Sequence, residues 1–117
     1  MELSLRRAYD IMFKMLDKYY WMTKHDWLGA LLGVMNVELW SDNEPIDPAI
    51  LINWEEAVLK VVDKKRITSK EGFKAMIIFL ERYNDEFGFE IKEIIEKIKV
   101  AFSEFEEEWE NINNQET

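Results

Sequence analysis

A single imidazole, His25, and no thiol are what this chain offers to nucleophilic or acid–base chemistry. An activated nucleophile needs a base within hydrogen-bond reach and a third group to orient that base. No serine or carboxylate stands at a spacing around His25 that marks such a set. Two readings follow: a structural histidine at a capping turn or half-buried position, or a lone general base. One histidine excludes any site that needs two imidazoles. Zero cysteine excludes disulfides, thiol nucleophiles and cysteine-ligated metals.

Carboxylates on facing helices are the other chemistry to consider, because they hold Mg²⁺ in helical bundles. Mg²⁺-dependent all-α nucleotide phosphohydrolases use E-E-x-x-E followed later by E-x-x-D. Here Glu55-Glu56 is followed by Ala57-Val58-Leu59, so the third acid of that set is missing. Glu93-x-x-Glu96 has ordinary i,i+3 surface spacing. No glycine-rich phosphate loop is present. The bases Lys60, Lys64, Lys65 and Arg66 form a short group, best explained as cations at a helix end. No catalytic residue, metal ligand or cofactor is therefore expected, and the chain is read as a non-enzyme.

The elements that would position any site are helical. With 117 residues, 48% of them hydrophobic and 33% charged, the chain has the size and apolar content of one folded domain. Leu5, Ala8, Ile11, Met12, Met15, Leu16, Tyr19 and Tyr20 recur at three and four, predicting an amphipathic helix over about 4–22. Thr23-Lys24-His25-Asp26 resembles a capping box for a short second helix over about 24–32, with Gly33 as its stop. Residues 36–46 are irregular; Val37-Glu38-Leu39-Trp40 alternates like a strand, but no good partner strand is evident, so an extended loop is expected. Asp47-Pro48 opens a third helix, with Ile50, Leu51, Trp54, Ala57, Val58, Val61 and Val62 inward to about residue 64. Thr68-Ser69-Lys70-Glu71 is a capping box for a fourth, with Phe73, Met76, Ile77, Leu80 and Tyr83 inward and an end near Asn84. A break at Phe87-Gly88-Phe89 precedes a fifth, carrying Ile91, Ile94, Ile95, Ile98, Phe102, Phe105, Trp109 and Ile112. The expectation is an all-α, single-domain bundle of about five helices with one irregular acidic loop and a frayed tail after about 112. Gly29, inside the second helix, is expected to allow close helix approach.

Charge is segregated along this frame. Acids outnumber bases 24 to 15, a net charge of −9. His25 to Leu59 holds seven acids and no lysine or arginine; Val100 to Thr117 holds six acids and again no base. The rest of the chain is slightly positive. An acidic domain is a poor general nucleic-acid binder, since phosphate contacts require bases. The terminal glutamates read first as a solvated helix face. The irregular segment differs: it sets acids beside Leu39 and Trp40 on a loop, and loops on rigid scaffolds often carry binding function. Trp40 is then either an interface anchor with a charged rim or a residue folded back into the core. The expected partner-binding residues are Glu38, Trp40, Asp42, Glu44 and Asp47, with Glu104 to Glu110 in reserve. Asp47 has a second possible role, capping the Pro48 helix.

The N-terminal sequence lacks the apolar stretch of a signal peptide. The apolar run Trp27 to Met35 falls short of the roughly 18 to 20 residues that span a bilayer. A cytoplasmic protein with no membrane partner is expected.

The pattern Tyr19-Tyr20-x-x-Thr23-Lys24-His25-Asp26-x-Leu28-Gly29-x-Leu31-Leu32-Gly33-x-Met35, followed by Asp47-Pro48-Ala49 and Trp54, resembles small bacterial immunity proteins of contact-dependent growth inhibition and related polymorphic toxin systems. The resemblance covers roughly residues 5 to 60. It departs from the pattern at Trp27, where such families often have a second Asp. It implies a protein that binds and neutralises a cognate toxin domain, often a nuclease, inside the producing cell. Nuclease domains are usually basic, so an acidic partner is steered to them. The alternatives are the Mg²⁺-dependent phosphohydrolase and a non-catalytic adaptor or homodimer.

Overall fold

The computed structural model describes residues 1–35 and 49–116, with side chains to residue 112. The elements in order are β1 (Leu3–Ser4), α1 (Leu5–Thr23), α2 (Asp26–Met35), α3 (Ala49–Leu59), β2 (Arg66–Ile67), α4 (Ser69–Asp85), α5 (Lys92–Lys99) and α6 (Phe102–Glu116). The described chain is mostly helical, as the apolar spacing predicts.

The stripe of α1 is buried from Ala8 to Tyr19, and Ser4 caps the helix by accepting a hydrogen bond from the Arg7 amide at 3.2 Å. The Thr68 box forms in full: the Thr68 hydroxyl accepts from the Glu71 amide, and the Glu71 carboxylate accepts from the Thr68 amide at 2.8 Å. Helix α1 lies against α2 and α6, and α4 lies against α3, α5 and α6. Their apolar faces enclose one core that includes Trp54, Phe79, Phe105 and Trp109. Burying an indole requires a partner for its N–H. Trp54 donates to the Leu5 carbonyl at 2.8 Å, and Trp109 to the Met1 carbonyl at 3.1 Å. The N-terminal segment is thereby stitched to α3 and α6.

Several expectations need correction. Six helices, not five, are present among the described residues, because the expected last helix breaks at Val100–Ala101. The Ala101 amide turns back to the Ile98 carbonyl at 2.9 Å, Val100 is 88% exposed and Ala101 is buried. The spacing of three and four runs through this point unbroken, so the break leaves no mark in the pattern. On its two sides Ile94, Ile95 and Ile98, and Phe105, Trp109 and Ile112, are all buried in the one core.

Gly33 does not stop α2, which runs on to Met35. The extra turn buries Met35 and sets its carbonyl to accept from the Tyr9 hydroxyl at 2.7 Å. The expected box at Thr23 is also different. The Thr23 hydroxyl donates to the Tyr19 carbonyl and accepts from the His25 amide, so it closes α1; Lys24, at φ 55°, makes the left-handed turn.

Helix α3 ends at Leu59, not near residue 64. The Lys60 amide is shared between the carbonyls of Glu56 and Ala57, and the amides of Val61 and Val62 both turn to the Val58 carbonyl. This tightening releases the chain to β2, which pairs antiparallel with β1, Leu3 opposite Ile67. The strand pair has no counterpart among the sequence expectations. It also reassigns the basic group. Lys64 bridges Glu2 at 2.7 Å and Glu71 at 3.2 Å, and Arg66 donates to the Glu2 carbonyl at 3.0 Å, so these cations fasten the N-terminus instead of closing a helix.

Gly29 meets its expectation. A Cβ there would stand 2.7 Å from the Tyr20 ring, a separation that only hydrogen allows.

Candidate functional site

The five residues expected to contact a partner, Glu38, Trp40, Asp42, Glu44 and Asp47, lie outside the described residues. The structure does define the two flanks of their segment. On one side Met35 is buried and held by Tyr9; on the other Ile50 and Trp54 are buried, and Trp54 is held by Leu5. Both flanks are therefore tied to the N-terminal half of α1. Burial of the Tyr9 hydroxyl pushes its pKa up, keeping it a neutral donor to the Met35 carbonyl.

The reserve surface on α6 divides by geometry. Glu104 accepts from the Tyr19 hydroxyl at 2.9 Å, Glu106 accepts from the Ser69 hydroxyl at 3.3 Å, and Glu108 pairs with Lys14 at 3.6 Å. These three contacts hold α6 against α1 and the start of α4. The Tyr19 pKa is pushed up to about 12 by burial first and then by the Glu104 carboxylate. Glu107 and Glu110 are exposed and have no ion-pair partner among the described residues. They are members of this run whose carboxylates are open to solvent.

A second surface was hidden from the sequence reading. Large apolar side chains are usually buried, yet Trp21 is 63% exposed, Met22 is 65% exposed and Trp27 is also exposed. Trp21 and Met22 follow Tyr19 and Tyr20 at the end of the α1 stripe, where four consecutive large apolar residues cannot all face one side of a helix. That run was the available signal. Trp21 packs edge-on against Tyr20, with ring centroids 5.7 Å apart. The Lys24 ammonium lies 3.5 Å from the Trp21 ring centroid and 5.5 Å from that of Tyr20. Trp27 instead packs edge-on against Phe89, which meets Tyr83 and, through it, Phe87.

His25 occupies the turn between α1 and α2. Its carbonyl accepts the Gly29 amide at 3.0 Å. Its Nδ1 is buried with no hydrogen-bond partner. It lines a shallow pocket with Asn84, Glu90, Lys92 and Glu93. Glu56 pairs with Arg82, and Glu96 pairs with Lys99 at 3.4 Å, so both acids take part in surface ion pairs. Among the described residues no three His, Asp or Glu side chains gather where they could hold a metal ion. No described helix is long and apolar enough to cross a membrane.

Comparison with protein-family models, with curated proteins and with solved structures finds no match for this chain.

Proposed function

We propose that this chain is an immunity protein that binds and inhibits a cognate, basic toxin domain of the nuclease type through an acidic surface. The observation that carries the reading is the segregation of charge. Two stretches hold 13 of the 24 acids and none of the 15 bases. One of them includes Glu107 and Glu110, exposed and unpaired among the described residues. Uncompensated charge of one sign raises the rate of encounter with a partner of the opposite sign. The resemblance of roughly residues 5 to 60 to immunity proteins supports the same reading. Binding is assigned to Glu38, Trp40, Asp42, Glu44 and Asp47, in the segment whose flanks α1 holds, with Glu107 and Glu110 as a second acidic contact.

The experiment is genetic. The reading frame directly upstream of this chain should encode a toxin domain. Inducing that domain alone should arrest growth, and co-expressing this chain should restore it. Growth arrest that persists despite abundant folded chain contradicts the reading.

A further inference from the structure

Between α1 and α2 runs a groove of about 340 Å³, lined by Asp17, Tyr20, Trp21, Asp26, Gly29 and Gly33. Its described lining comes from α1 and α2, and Asp26 is one of the seven acids of the His25–Leu59 stretch. Trp21 and Tyr20 supply aromatic faces, and an aromatic ring carries negative charge over its face that attracts cations. Asp17 and Asp26 supply two carboxylates, neither with an ion-pair partner among the described residues. Gly33 leaves open space: a Cβ there would touch nothing within 4 Å.

The Trp21 ring already carries a cation of this chain. Lys24, turned into place by its left-handed backbone, sets its ammonium 3.5 Å from the Trp21 ring centroid. It has no carboxylate partner among the described residues, and its side chain is exposed and long, so another cation can displace it. A second copy of this chain is a poor occupant, because each copy carries a charge of −9. A flat guanidinium is a better fit than an ammonium: it stacks on an indole and presents a fork of donors to carboxylates.

We infer that this groove is a docking site for an arginine side chain of a basic protein partner, stacked on Trp21 and paired with Asp17 and Asp26. The partner's nature rests on the function proposed above, while the groove's preference for arginine can be measured without that partner.

The test uses the full chain, ¹⁵N-labelled, titrated with octa-arginine and separately with octa-lysine. Octa-arginine should shift the amide signals of Gly29 and Gly33 and the Trp21 indole signal. Octa-lysine should bind more weakly. Trp21→Ala should weaken octa-arginine binding by about threefold to fivefold, the scale of an exposed cation–π contact. Asp17→Asn with Asp26→Asn should weaken it further. Lys24→Asn, which keeps a residue tolerant of the left-handed backbone, should strengthen binding by more than Lys97→Ala, a lysine far along the chain on α5. These positions are exposed or half-buried, and circular dichroism verifies that each variant is folded. Equal binding of the two peptides, shifts confined to α6, or no change on Trp21→Ala would each overturn the proposal. If a growth-arresting toxin domain is neutralised equally well by Trp21→Ala and the wild-type chain, the immunity reading stands and the groove proposal falls. If octa-arginine docks as described but no toxin is neutralised, the reverse holds.

Discussion

Gly72→Ala and Gly33→Ala, the same chemical change in two helices, are expected to move stability in opposite directions. Replacing a helical glycine by alanine without strain stabilises by roughly 0.4–1 kcal/mol, mainly by restricting the unfolded chain. At Gly33 nothing stands within 4 Å of the added methyl, and α2 continues through it, so this gain is realised in full. At Gly72 the methyl would come within 2.8 Å of Trp109 Cζ3 and 3.0 Å of Cη2. The Trp109 ring cannot retreat: it is fully buried, its N–H is donated to the Met1 carbonyl, and the Phe105 ring packs against it, tilted, at 5.6 Å. Overpacking of this kind costs about 1–3 kcal/mol, which outweighs the glycine gain and leaves a net loss of about 1–2 kcal/mol. In a chain of this length each kcal/mol moves the melting temperature by roughly 3–6 °C. Thermal melts of the two variants beside the wild type decide the matter. If both variants melt higher by similar amounts, the Gly72–Trp109 contact does not limit the core. If both melt lower, α2 does not continue through Gly33.

Removing the cap with Thr68→Ala should lower stability by about 1 kcal/mol in chemical denaturation, with the slope unchanged. Tyr19 makes a pH prediction: its folded pKa, about 12, lies above its ordinary value of 10.0, so its contribution is full below pH 10 and is lost as pH rises towards 12. The melting temperature should fall across that window, and Tyr19→Phe should make the fall shallower. Glu71 acts at the other extreme: the Thr68 amide, first, and then Lys64 hold its carboxyl below the ordinary glutamate range, so its contribution is present at neutral pH and is lost as acid protonates it. Stability should therefore drop less steeply below pH 5 in Glu71→Gln than in the wild type. In the acidic segment, Asp42→Lys with Glu44→Lys should slow association with a basic partner and flatten its salt dependence. Trp40→Ala should shorten the lifetime of the complex, by about 2 kcal/mol if the indole is an anchor.

The helices of this fold were legible where side-chain burial and local caps agree. The α1 stripe and the Thr68–Glu71 box each specify their element through contacts within a few residues. Sequence and structure differ where a distant residue decides. Gly33 is a reasonable stop by local chemistry, but the Tyr9 hydroxyl, 26 residues before Met35, rewards one more turn of α2 by donating to the Met35 carbonyl. Val61 and Val62 continue the apolar period of α3, yet the pairing of Arg66 with Ser4 draws the chain out of the helix. The break at Val100 leaves no mark in the sequence because the apolar period runs through it intact. Of the candidate site, the acidity of the terminal helix was legible, but not that Glu104, Glu106 and Glu108 are occupied by Tyr19, Ser69 and Lys14. The Trp21 groove is hard to read from sequence because tryptophan is by default a core residue, and only the run of four large apolar residues at the end of α1 argues otherwise.

The central claim is tested most directly by mixing this purified chain with the purified toxin domain encoded upstream and following toxin activity and association rate across ionic strength. Stoichiometric loss of toxin activity is expected. The association rate should fall steeply as salt rises, and more gently for the Asp42→Lys/Glu44→Lys chain. Undiminished toxin activity in the presence of excess folded chain, or an association rate indifferent to salt, would contradict an acidic inhibitor of a basic toxin.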